Sequence, residues 1–269
     1  MAYYLYILKD LIIKTISLLG SGWLGLPLAT QLCKRGYHVK ASTRQSVRFA
    51  EIESCGASPF LVDIDQLSDI KAFLDSEILI INITSKNHHG FTNLIRQIES
   101  SPIQKILFIS STSVYQNLNR QVSEDEQAED HNSVLWQIEQ QFQASKHFKT
   151  TVLRFSGLID ARRHPGRFFR NGRRVPQAKA PVNLIHLDDC LGIIDAILQQ
   201  ECWGEILNGC ADTHPSKYLF YSYARELMEL PPPEFDTDSE VSYKIISNQK
   251  VKTKLNYTFQ HPDLMKLTF

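Results

Sequence analysis

The chain has 269 residues, enough for a large core, and its 29 Lys plus Arg match its 29 Asp plus Glu, so the formal net charge is zero. That balance argues against nucleic acid or an anionic membrane as the main partner. Five scattered cysteines, Cys33, Cys55, Cys190, Cys202 and Cys210, form no Cys-x-x-Cys pair and read as reduced thiols of a cytoplasmic protein, not as a disulfide frame or a metal site.

Residues 1–14 read as an N-terminal extension. Lys9, Asp10 and Lys14 interrupt its apolar character before it could span a bilayer, so no membrane partner is expected. "TISLLG" is a strand, followed by Gly-Ser-Gly-Trp-Leu-Gly and a helix from Leu26 to Arg35, ended by Gly36. "YHVKAS" is a second strand, "SVRFAEIESCG" a helix and "PFLVDI" a third strand. "EILIINIT" and "IQKILFISS" are two more strands, each a near-continuous apolar run. Then come the strand "TTVLRFSG", a basic loop, "VNLIHLDD", a helix from Cys190 to Gln199, "EILNGCA" and a helix around Lys217 to Leu230. Pro231, Pro232 and Pro233 mark a turn. Strands apolar on both faces and separated by helices predict an α/β fold: a doubly wound parallel sheet of the Rossmann type. Residues 15–160 are expected to form the dinucleotide-binding domain, with further sheet elements in 161–269.

A strand, a glycine turn and a helix in that order form a dinucleotide fingerprint. Gly20 would make the tight turn. Gly22 would admit the pyrophosphate. Gly25 would let the helix pack closely on the strand. Trp23 and Leu24 lie between them, at the helix N-terminus where free N–H groups favour an anion. An NAD site usually ends the second strand with an acid that accepts from the ribose 2′-hydroxyl. Here Ser42, Thr43 and Arg44 stand there instead. A guanidinium and hydroxyls suit a 2′-phosphate, so NADP is favoured over NAD, with Lys40 as a second cation if it faces the pocket.

"GSGWLG", "LVDID", "FISSTSVYQ", "VLRFSGLID" and "NLIHLDD", in that order over roughly residues 15 to 210, resemble the extended and atypical short-chain dehydrogenase/reductases, the NAD(P)-dependent epimerase/dehydratase family. The resemblance implies a seven-stranded Rossmann sheet with a small C-terminal substrate lobe interleaved in 161–269. It implies that Asp63, with Ile64 beside it, reaches the adenine. It also makes Ser111 the hydroxyl that would hold a substrate oxygen, against the alternative of a hydroxyl that only caps the strand end.

The family's Tyr-x-x-x-Lys pair is missing. If Glu139 matches the acid that often follows the Lys, the Lys place is Leu135 and the Tyr place is His131. A leucine can neither lower a neighbour's pKa nor hold a ribose hydroxyl. His131 could carry a proton in place of the Tyr, or could simply precede a helix capped by Asn132 or Ser133. The loop "DARRHPGRFFRNGRRVP" carries six arginines; Arg163 and Arg167 are the candidates for an anionic substrate, against the alternative of a solvated basic face. His88 and His89 read as loop residues. His186 with Asp188 and Asp189 reads as a strand-to-helix corner capped by one of the acids, so no metal site is expected. Three functions remain open: an enzyme of the epimerase/dehydratase type acting on a sugar-nucleotide-like or other anionic polar small molecule, a non-catalytic NADP-binding or redox-sensing protein, and a scaffold with a degenerate cofactor site. The oligomeric state is not legible.

Overall fold

The structure is a computed structural model and describes residues 14–170 and 172–269. The expected extension, apart from Lys14, lies outside the described residues.

Among the described residues seven strands form one sheet in the order β10-β7-β5-β4-β1-β2-β3. They are β1 Thr15–Leu19, β2 His38–Thr43, β3 Ser58–Leu61, β4 Ile78–Ile81, β5 Lys105–Ser111, β7 Lys149–Phe155 and β10 Ile206–Gly209. β1 pairs in parallel with β2 and β4, β2 with β3, and β4 with β5. This is the doubly wound Rossmann sheet that the apolar runs predict. The helices are α1 Gly25–Lys34, α2 Phe49–Ser54, α3 Lys71–Leu74, α4 His88–Glu99, α5 Val134–Ala144, α6 Leu187–Gln199, α7 Lys217–Glu226 and α8 Gln249–Leu255. Two short parallel pairs complete the strands among the described residues: β6 Gln121–Val122 with β11 Ile245–Ile246, and β8 Gly157–Ile159 with β9 Leu184–His186.

The chain divides into two compact units, each assembled from separate segments. The first holds residues up to Ile109, with 137–152 and 203–205. All four residues of β4, Ile-Leu-Ile-Ile, are buried, as a central parallel strand requires. Phe91 of α4, Phe108 of β5 and Phe142 of α5 interlock with ring centroids 5.1 to 6.0 Å apart, which fastens both helices to the sheet.

The second unit holds residues 110–136, 153–202 and 206–269. One of its apolar clusters includes Ile159, Val175, Val182, Leu184, Phe220 and Leu264. Another joins Val114, Tyr115, Val122, Ala128, Cys210 and Ile246.

Some local expectations are corrected. The third strand ends at Leu61, because β3 pairs with β2 only from Ser58 to Leu61, opposite Lys40 to Thr43. His88 and His89 are not in a loop. They open α4, whose first turn Asn87 caps by accepting the N–H of Gly90 at 2.9 Å. The corner before α6 is capped by His186, whose Nδ1 accepts the N–H of Asp188 at 3.2 Å; Asp188 and Asp189 lie inside the first turn. The last long helix stops at Glu226, short of Leu230. Ser216 caps it, one of the two caps expected, by accepting the N–H of Leu219.

Candidate nucleotide-binding site

The first unit builds the glycine turn between β1 and α1. Gly20 has φ +104°, a left-handed conformation, and a Cβ placed there would lie 2.3 Å from the carbonyl oxygen of Asn82. A Cβ on Gly25 would lie 2.1 Å from the carbonyl oxygen of Gly20. A Cβ on Gly22 would meet nothing within 4 Å. The turn therefore uses two glycines for its own backbone packing and leaves open space at the third. No side chain caps the start of α1, so the helix end remains available to an anion.

Ser21 supplies a second observation. Its side chain is 2 % exposed, yet its Oγ has no hydrogen-bond partner in the structure. A buried hydroxyl left unpaired costs about 1–3 kcal/mol. A phosphate oxygen over Gly22 is the kind of acceptor that such a donor suits. The residues present therefore fit a dinucleotide pyrophosphate.

Around the turn, Ser42 Oγ accepts the N–H of Gly20 at 2.9 Å, and the backbone N–H of Ser21 reaches the Ser42 carbonyl at 3.1 Å. Asn82 Nδ2 donates to the Gly20 carbonyl at 3.4 Å. Trp23 is half-buried, while Leu24 is buried in the core, so Leu24 has only its backbone to offer an anion.

Arg44 is exposed directly after β2. Thr43 Oγ1 accepts the N–H of Gln45 at 3.2 Å and so shapes this corner. Lys40 does not join them. Its ammonium donates to the carbonyls of Ala72 and Asp75 at 2.7 Å each, at the C-terminal end of α3, where free carbonyls attract a cation. A cation the sequence did not single out, Arg48, reaches the loop instead. It donates to the Ser21 carbonyl at 2.8 Å and pairs with Glu51 at 2.8 Å. Its sequence signal was weak, because Arg48 lies beyond an extended Gln45 in a short 3-10 turn. Asp63 Oδ1 accepts the N–H of Asp65 at 3.0 Å and caps a short 3-10 turn, and Ile64 is buried inside that turn.

The candidate catalytic residues lie in the second unit. Ser111 is half-buried, and its Oγ accepts the N–H of Ser113 at 3.1 Å, which leaves its own proton to donate. His131 is exposed and stacks on Trp136, with centroids 4.4 Å apart and planes 13° from parallel. It lines an open cleft of about 580 Å³ together with Gln116, Asn117, Glu129 and Asp130. Ser111 is not among the residues lining that cleft.

Ser133 is positioned as the cap of α5, its Oγ 3.5 Å from the N–H of Trp136. Leu135 stands at the place of the missing lysine and packs on the cluster around Val114, Tyr115 and Ile246. The tyrosine four residues after Ser111, Tyr115, is no substitute acid. It is 2 % exposed and its hydroxyl donates to Asn208 Oδ1 at 3.0 Å. Burial pushes its phenol well above the usual tyrosine value, against the opposing pull of Arg154.

Arg163 and Arg167 are both exposed. The Arg163 guanidinium lies 5.7 Å from the Phe168 ring centre, and its backbone N–H donates to Asp160. Arg167 sits near His164, whose imidazole burial and then that positive charge hold below the ordinary histidine value. Among the described residues no helix is long and apolar enough to cross a membrane.

Residues 20–183 match the NAD(P)H-binding family. Protein YeeZ of Escherichia coli (strain K12) is 31% identical, over 93% of this chain and 97% of its own. A protein of Methylobacillus flagellatus assigned as an NAD-dependent epimerase/dehydratase superposes with a TM-score of 0.76 at 24% identity, over 93% of this chain and 94% of that one. A UDP-glucuronic acid 4-epimerase from Bacillus cereus, solved with NAD, gives 0.75 at 18% identity, over 93% and 95%. The chain belongs to the NAD(P)H-binding family and carries the Rossmann fold shared by short-chain dehydrogenase/reductases and NAD-dependent epimerase/dehydratases.

Proposed function

We propose that this protein binds NADP(H) in preference to NAD(H) and acts on a sugar-nucleotide-like or other anionic polar small molecule. The observation that carries the binding half is the buried, unpartnered Ser21 hydroxyl in a glycine turn left open at Gly22. Ser21, Gly22 and the start of α1 would hold the pyrophosphate. Arg44 would hold the 2′-phosphate, with no acid there to repel it. The bound nicotinamide would supply the hydride-exchange chemistry. The epimerase from Bacillus cereus holds NAD, so the preference for NADP rests on this chain's own second strand.

Ser111 would donate to a substrate oxygen, and Arg163 and Arg167 would attract the substrate's anionic group. His131 would carry the proton that the family's tyrosine otherwise carries. A second reading, a binding or redox-sensing protein without turnover, draws on Leu135 and Tyr115. One is packed as a hydrophobe and the other is sealed against Asn208.

A panel of nucleotide sugars incubated with the protein and NADP, read by product analysis as well as nicotinamide absorbance, separates the two. Product is expected with at least one member, and Ser111→Ala or His131→Ala should each slow its formation, by about 10²–10⁴-fold where the proton carrier is lost. No product from any member, alongside tight NADP binding, selects the second reading.

A further inference from the structure

The second unit brings His261 against a pair of side chains, His186 and Asp188, that lies more than seventy positions earlier in the chain. His186 ends β9, Asp188 opens α6, and His261 follows α8 in the loop ahead of Pro262. One ligand-type atom from each lies within 4.8 Å of the other two. Asp188 Oδ2 is 2.8 Å from His261 Nε2 and 3.3 Å from His186 Nδ1. The two imidazoles are in contact, with centroids 4.0 Å apart and planes tilted by 50°. We propose that His186, Asp188 and His261 form a binding site for one divalent transition-metal ion of the zinc type.

The 3.3 Å between Asp188 Oδ2 and His186 Nδ1 is the spacing of two ligands on such an ion, and the 2.8 Å hydrogen bond to His261 Nε2 would lengthen on binding. Ligands at about 2.0–2.1 Å in a tetrahedron stand about 3.3 Å from one another. Two imidazoles and one carboxylate are a donor set for zinc and its neighbours rather than for magnesium or calcium. Three protein ligands leave a position for water.

The site is also held in place. Asp189 is wholly buried, and its carboxylate accepts from the Tyr257 hydroxyl at 2.9 Å, the N–H of Gln260 at 2.7 Å and the N–H of His261 at 3.0 Å. The loop that carries His261 is thereby tied to the first turn of α6. Gln260 Nε2 adds a bond to the Asp188 carbonyl at 3.3 Å. Such outer contacts fix ligand orientation before any ion arrives. A second contact in the first turn works the other way: His186 Nδ1 accepts the N–H of Asp188 in the apo geometry, so ligation through that atom exchanges the cap for a metal bond. The positive end of the α6 dipole also opposes a cation. Asp188 and Asp189 in the same turn offset it with two negative charges.

The reading that competes is a plain hydrogen bond between His261 and Asp188. Calorimetric titration of the full chain with Zn²⁺, and the absorption spectrum of its Co²⁺ form, tell the two apart. One equivalent of Zn²⁺ is expected to bind and to raise the melting temperature. His261→Ala and Asp188→Asn, neither of them in the core, should each weaken binding at least about tenfold. Binding should also weaken in acid, because an imidazole ligates only in its neutral form. A Cys33→Ser/Cys55→Ser variant should bind as the parent does, and the Co²⁺ spectrum should lack thiolate charge-transfer bands. Absence of one-equivalent binding would overturn the site. So would undiminished binding in His261→Ala, or thiolate bands that vanish with the cysteines.

Discussion

Gly22→Val is expected to fold like the parent and to lose NADP(H). The position is open, with nothing within 4 Å of an added Cβ, so the protein itself has no objection to the side chain. The space that valine would fill is the space the pyrophosphate needs. Displacing the phosphates from Ser21 and the α1 terminus removes charge-assisted hydrogen bonds worth about 1.5–3 kcal/mol each. Losing two of them lowers affinity by about 10²- to 10⁴-fold. Gly25→Val is the contrasting variant. Its Cβ would sit 2.1 Å from a backbone oxygen, so either the turn or the helix must move. That variant should lose stability as well as binding. Calorimetry with NADPH and a thermal melt on each variant check both outcomes. A Gly22→Val protein that melts normally and binds NADPH undiminished would place the phosphates elsewhere.

Arg154→Met should destabilise the second unit by about 3–5 kcal/mol. Arg154 has no exposed surface and pairs with Glu129 at 2.6 Å, whose side chain is 9% exposed. Its guanidinium also lies 4.8 Å from the centre of the Tyr115 ring. Removing the arginine strands a carboxylate in the interior with its partner gone. The loss should be largely recovered in Arg154→Met/Glu129→Leu, because replacing both ends of a buried pair by apolar groups avoids that stranded charge. Urea unfolding of the parent, the single and the double variant measures it. Equal stability in parent and single variant would show that the pair contributes nothing.

Much of the sheet was legible, for a physical reason. A central parallel strand is buried on both faces, so "ILII" and "KILF" stand out as apolar runs in any register. Gly20 and Gly25 were legible too, since at both a Cβ would strike a backbone oxygen, whereas Gly22 is open and its place in the motif rests on the proposed cofactor. Features that depend on distant partners were hidden. Lys40 lies in a strand whose sequence does not say that the end of α3 will be waiting for its ammonium. His88 and His89 were misplaced because two adjacent histidines look like a loop, while Asn87 as a cap and Phe91, Leu94 and Ile98 at helical spacing were the better signal. At the α6 corner an imidazole took the cap that the two acids were expected to take. Asp189 was thereby released to anchor the loop beyond Tyr257, some seventy positions away. His261 could not be matched to His186 from the chain alone, because only folding brings them together.

The most direct measurement is a calorimetric titration of the protein with NADPH and with NADH, repeated on Arg44→Ala. A charged hydrogen bond to the 2′-phosphate is worth about 1.5–3 kcal/mol. NADPH should therefore bind about tenfold to a hundredfold more tightly than NADH, and Arg44→Ala should bring the two affinities together. Equal affinities in the parent, or a preference that survives in Arg44→Ala, would contradict the assignment of the second strand's end to the 2′-phosphate.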